Sequence, residues 1–91
     1  VVARGAEGSV LAARGLRLHA AAADVKVVSK VGAGDSFVGG MSLALARGGD
    51  LGEALRWGTA AASAAVMTPA SRLCRHEDVE ALLPQCTVTS L

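Results

Sequence analysis

Aromatic side chains are nearly missing from this 91-residue sequence, where Phe37 and Trp57 make up the whole 2%. Hydrophobic residues nevertheless form 52% of the chain, much of it alanine, with 11 glycines beside them. Such a composition excludes a disordered polymer. It also means that a core here forms by close approach of backbones and not by large side chains. A chain this short removes a smaller fraction of its surface from water than a full-sized domain does. The composition fits a piece of a larger α/β domain better than a free-standing protein.

An excess of one charge is missing too. Nine basic residues face eight acidic ones, for a net charge of +1. There is no basic block and no basic–aromatic alternation, which argues against a nucleic-acid stripe or a polybasic membrane helix. The longest largely apolar stretch, residues 60–67, is far short of the roughly 20 residues that a spanning helix needs. No Met-led, positively charged leader opens the sequence. It starts within an apolar run, Val1-Val2-Ala3, which reads as a strand already under way and hints at a truncated chain. The two cysteines, Cys74 and Cys86, lack metal-binding spacing. Together with His19 and His76 they match no zinc-ligand pattern, and reduced cytosolic thiols are the plainer reading.

Residues 1–4 and Ser9 to Ala13 read as strands around the glycine-bearing turn Gly5-Ala6-Glu7-Gly8, a hairpin signal. Leu16 to Ala20 alternates Leu16 and Leu18 with Arg17 and His19, as a third strand does, and Val25 to Val28 is extended. From Asp35 the period becomes helical, with Phe37, Val38, Met41, Ala44 and Leu45 predicted on one face and Gly48-Gly49 ending the run. Asp50 to Glu53 opens a second helix with a capping-box pattern. Its face between Gly58 and Ala65 is almost free of side chains, so it can lie close to a sheet, a helix or a ligand. Pro69 is expected to end it. A short terminal helix over His76 to Leu83 should turn Val79, Leu82 and Leu83 inward, and the tail from Pro84 carries little signal.

The residues with chemistry to offer are Gly32-Ala33-Gly34-Asp35, where a loop enters a helix. The first N–H groups of a helix have no intrahelical partner, and the macrodipole adds partial positive charge there. Small residues leave those donors uncovered for a phosphate. A carboxylate in the same turn can accept a proton from a hydroxyl beside that phosphate, which joins positioning to charge stabilisation in phosphoryl transfer. The pattern is neither a Walker A loop nor a dinucleotide fingerprint, since position 37 is Phe. On spacing alone, Asp35 is evenly balanced between a helix cap and a site.

The run Val31-Gly32-Ala33-Gly34-Asp35-Ser36-Phe37-Val38-Gly39-Gly40-Met41 resembles the C-terminal signature of the ribokinase-like (PfkB) sugar kinases. Arg56 to Ala65 and Ser71 to Asp78 are similar to its minor-type 6-phosphofructokinase branch. Gly5-Ala6-Glu7-Gly8 matches the family's nucleotide-side turn, so the resemblance covers nearly the whole chain. It implies the C-terminal part of a three-layer α/β/α fold, a single partial domain over residues 1–91. It implies ATP-dependent transfer of a phosphoryl group to a sugar phosphate, fructose 6-phosphate first, as part of glycolysis in the cytoplasm. By that resemblance Asp35 is the catalytic base, and Gly32, Ala33 and Gly34 form the anion hole. Ala3, Gly5, Ala6, Glu7 and Gly8 would contact ATP, and Thr59 and Ser63 would line the adenine pocket. A monovalent-cation site, for K+, would fall on Ser29, Val31, Ala65, Thr68, Ala70 and Arg72. Ser29 stands where many relatives have Asp, and Thr68 and Ala70 replace the common Asn and Gly. The family's sugar-binding residues, lid and Mg2+ motif lie N-terminal to this segment, so the chain alone is expected to be inactive. A homo-oligomer without nucleic-acid or membrane partners is implied as well. Other ribokinase-like kinases, for 1-phosphofructose, tagatose 6-phosphate or ribose, and a non-catalytic nucleotide-binding remnant remain as alternatives.

Overall fold

The computed structural model describes residues 2–3, 7–13, 15–28, 32–67 and 76–91. Four strands form one antiparallel sheet in the order β1-β2-β3-β4: Val2–Ala3, Ser9–Ala13, Leu16–Ala20 and Val88–Ser90. The helices are α1 (Ala33–Ala46), α2 (Leu51–Val66) and α3 (His76–Leu82), followed by a 3-10 turn at Leu83–Gln85. This is a partial α/β fold.

The side-chain alternation of a strand sets the sheet's two faces. Ser9 and Leu11 are buried and pair with Ala20 and Leu18, so these four share the helix-facing side. Val10 and Ala12 pair with His19 and Arg17 on the opposite side. β2 and β3 have the bounds their alternation predicts, and β1 covers Val2–Ala3 of the predicted first strand, whose residues 1 and 4 lie outside the described residues. The tail is more ordered than its composition suggests. Val88, Thr89 and Ser90 pair with Ala20, His19 and Leu18, a long-range pairing with no local sequence signature.

Helix α2 is the hub. It packs on α1, on α3 and on the sheet. Its start is the predicted one: Asp50 is the N-cap, and its carboxylate accepts from the Glu53 N–H at 2.9 Å. A cap of this kind stabilises by about 1 kcal/mol. One apolar cluster joins Leu55 to Leu11, Ala20 and Phe37. A second joins Ala60, Ala61 and Ala64 to Ala23, Val79, Leu82 and Cys86. Alanines dominate the second because the elements approach closely there. A β-carbon on Gly40 would lie 2.6 Å from the Trp57 carbonyl oxygen and 2.9 Å from the Ala61 β-carbon. The small face predicted on α2 is therefore matched by a glycine on α1.

That close crossing corrects the inward face predicted for α1. Phe37, Gly40 and Ala44 are buried, but Val38 and Leu45 are 62% and 46% exposed. A helix advances about 100° per residue, so a tight glycine-centred contact admits only the stripe at i, i+3 and i+7. The helix also begins at Ala33, two residues before the predicted start, and closes at Arg47. The Gly49 N–H returns to the Ala44 carbonyl at 2.9 Å. α2 ends at Val66 with Met67 as its cap, while Pro69 lies outside the described residues. In the terminal segment Val79 and Leu82 are buried as predicted, and Leu83 packs half-buried against the same cluster from the 3-10 turn.

Candidate functional site

Gly32 is the N-cap of α1, at φ 80° and ψ 0°, with no side-chain cap hydrogen bond. A residue bearing a β-carbon is strained in that left-handed conformation, which explains glycine at this position. The Ser36 N–H is the donor that reaches back to the Gly32 carbonyl, at 2.9 Å. The preceding N–H groups, of Ala33, Gly34 and Asp35, come before this first intrahelical donor and carry the positive end of the helix dipole.

Asp35 is thus the third residue of the helix and not its cap, and its side chain is exposed. Gly34 is exposed, and a β-carbon there would meet no atom of the chain within 4 Å. Its φ does not lie in the left-handed region either. No crowding within the described residues demands glycine at position 34, in contrast to positions 40 and 58. An uncovered helix start with an adjoining carboxylate can receive an anion and take a proton beside it. Two surface grooves, of about 210 and 370 Å³, lie elsewhere, beside Trp57 and beside Arg56, and neither includes residues 32–35.

The other predicted site residues lie on β1, at the entry to β2 and on α2, or outside the described residues. Ala3 pairs with Ser9 in the β1–β2 ladder. Glu7 is exposed and Gly8 buried at the entry to β2, while Gly5 and Ala6 lie outside the described residues. Thr59 and Ser63 are buried, at 3% and 6% exposure. Their hydroxyls bond back along α2, Thr59 to the Leu55 carbonyl at 2.8 Å and Ser63 to the Thr59 carbonyl at 3.0 Å. Ser63 Oγ also accepts from the Ala23 N–H at 3.4 Å, which ties the segment ahead of the site to α2.

Of the cation set, Ser29, Val31, Thr68, Ala70 and Arg72 lie outside the described residues, and Ala65 is buried in the last turn of α2. The two chain segments that carry the set are joined where they leave the described part: the Val28 N–H donates to the Val66 carbonyl at 2.6 Å. No group of three or more His, Cys, Asp or Glu gathers among the described residues. No described helix is long and apolar enough to cross a membrane.

One contact escaped the sequence reading. His19 Nε2 lies 2.8 Å from the Glu7 carbonyl oxygen, twelve residues away. In the sequence His19 is only the outward polar position of an alternating strand, and its partner is a backbone atom that no pattern marks.

An antiparallel sheet backed by helices, with a bare helix start presenting a carboxylate, defines an α/β segment suited to phosphate chemistry. The chain belongs to the pfkB family of carbohydrate kinases, whose description it matches over residues 1–78. It is 52% identical over 56 residues to the ATP-dependent 6-phosphofructokinase isozyme 2 of Escherichia coli K12, covering 62% of this chain and 18% of that one. It is 38% identical over 80 residues to the isozyme 2 of Mycobacterium tuberculosis, covering 88% of this chain and 24% of that one. The crystal structure of E. coli phosphofructokinase-2 in complex with potassium superposes with a TM-score of 0.84 at 38% identity, over 91% of this chain and 27% of that one. The tetrameric inhibited form of the same enzyme gives 0.79 at 37% identity, over 91% and 26%. The chain thus spans about a quarter or less of the length of these relatives.

Proposed function

We propose that this chain is the phosphoryl-transfer segment of an ATP-dependent kinase acting on fructose 6-phosphate. The observation that carries the proposal is the uncovered start of α1, where Gly34 is open and Asp35 stands exposed at the third helical position. The N–H groups of Ala33, Gly34 and Asp35 stabilise the charge that develops on the transferring phosphoryl group. The Asp35 carboxylate accepts the proton of the attacking sugar hydroxyl. Because the amides are fixed by the helix, they need no reorganisation as charge develops. ATP supplies the phosphoryl group, with the turn at Glu7 and Gly8 on the nucleotide side.

The relatives named 6-phosphofructokinase support this choice of sugar phosphate over ribose or another ketose phosphate. The sugar site and the magnesium ligands then come from residues outside this chain. The relative solved with potassium favours a monovalent-cation site on Ser29, Val31, Ala65, Thr68, Ala70 and Arg72. A homo-oligomeric enzyme is favoured by the relative's tetrameric form.

ADP formation by the complete protein with ATP, magnesium and fructose 6-phosphate, ribose or tagatose 6-phosphate in turn tests the reading. Turnover is expected to be fastest with fructose 6-phosphate and to rise when K+ replaces Na+, and the 91-residue chain alone is expected to form no ADP above background. Preference for another acceptor would move the assignment to that sugar, and binding of ATP without turnover on any of them would leave a nucleotide-binding segment.

A further inference from the structure

We propose that His19 is a positioning residue for the nucleotide, its ring holding Glu7, at the entry to β2, in the position that ATP meets. The proposal rests on the assignment of the turn at Glu7 and Gly8 to the nucleotide made above.

The turn is seated on the end of β3 at two successive residues. At Gly8, in the left-handed conformation at φ 89°, a β-carbon would collide with the Ala20 carbonyl oxygen and approach His19 Nε2 to 2.9 Å. At Glu7, the backbone carbonyl lies 2.8 Å from that same Nε2. A carbonyl oxygen can only accept, so Nε2 must carry the proton and donate it. Backbone packing thus fixes Gly8, and the imidazole fixes the residue before it.

Among the described residues, β1 and β2 share the pairs Val2↔Val10 and Ala3↔Ser9. β3 is paired over all five of its residues to β2 and over three of them to β4. His19 sits between Val10 and Thr89 on the sheet face away from the helices, and therefore connects Glu7 to a strand paired on both sides. An untethered turn would have to be ordered when the nucleotide binds, and binding would weaken by that cost. Losing one hydrogen bond of this kind corresponds to about a fivefold change in affinity. Gln places a side-chain N–H at about the reach of Nε2, whereas Leu fills similar space without a donor.

The test is steady-state kinetics together with amide hydrogen exchange on the complete protein carrying His19→Leu or His19→Gln. In the parent, ATP should slow exchange over residues 5–9. His19→Leu should speed that exchange and raise the KM for ATP about fivefold, with kcat and the KM for the sugar phosphate within about twofold of the parent. His19→Gln should restore both readouts. If ATP does not protect residues 5–9 in the parent, the nucleotide assignment fails and the positioning role falls with it. If ATP protects the parent but His19→Leu leaves the KM for ATP unchanged, the positioning role alone is overturned. A His19→Leu effect spread equally over both substrates, or one that Gln does not rescue, also overturns it.

Discussion

Gly58 of α2 lies against the backbone of Phe37 in α1, so closely that a β-carbon on it would sit 3.0 Å from the Phe37 carbonyl oxygen and 3.2 Å from the ring. Such spacing lets Phe37 fill the junction among Leu11, Ala20 and Leu55 and fixes α1 relative to the sheet. In a chain with two aromatic residues, that backbone-on-backbone contact substitutes for bulk. The start of α1 takes its place from it.

Gly58→Val should therefore destabilise the protein by about 2–3 kcal/mol, the usual scale for forcing atoms into a packed contact. Urea unfolding should show a lower midpoint with an unchanged m-value. Activity should be lost in proportion to the unfolded fraction.

Gly34→Ala should behave in the opposite way. No atom of the described chain obstructs a methyl group there, and alanine is the better helix former, so stability should hold or rise by up to about 1 kcal/mol. Phosphoryl transfer should nonetheless fall by roughly tenfold or more, because the methyl stands over amide donors aimed at the transferring group. Thermal melts and turnover measured on the same sample separate the two effects. A parallel loss of both would make Gly34 a structural glycine.

Cys86 provides a pH signature for the fold. It is fully buried, and burial pushes its thiol up, partly offset by a backbone hydrogen bond from Ala23 and the charge of Arg56. A thiol that keeps its proton in the folded state and loses it in the unfolded state contributes stability below the unfolded pKa. That contribution is lost as pH rises from about 8.5 toward the folded value, at up to about 1.4 kcal/mol per pH unit. Urea melts from pH 7 to 10 should show a decline that is shallower in Cys86→Ala. Equal slopes in the two proteins would place the decline on other groups.

Much of this molecule is legible in its sequence because the signals are local. The alternation in Leu16 to Ala20, the Asp50 cap and the glycines after Ala46 each act within a turn or a strand, and each has its expected place. The misread parts depend on distant partners. Val38 and Leu45 are apolar at helical spacing, yet the narrow Gly40 crossing leaves them outside. β4 exists because β3 offers an edge far away in sequence, and Glu7 is held by His19 through a carbonyl that every residue has. At the candidate site the sequence showed the residue types, but could not decide between cap and site. Gly32 is the N-cap and Asp35 the third residue, so Asp35 is an acidic residue of the first turn and not the cap itself.

Turnover of Asp35→Asn in the complete protein tests the central claim most directly. Asn keeps the size and polarity of the side chain but removes its negative charge and with it its capacity to take a proton. The account predicts a fall in kcat of about 10²-fold or more, with the affinity for ATP nearly unchanged and the fold intact. Near-normal turnover in a folded Asp35→Asn protein would contradict it and return Asp35 to a purely electrostatic role at the start of α1.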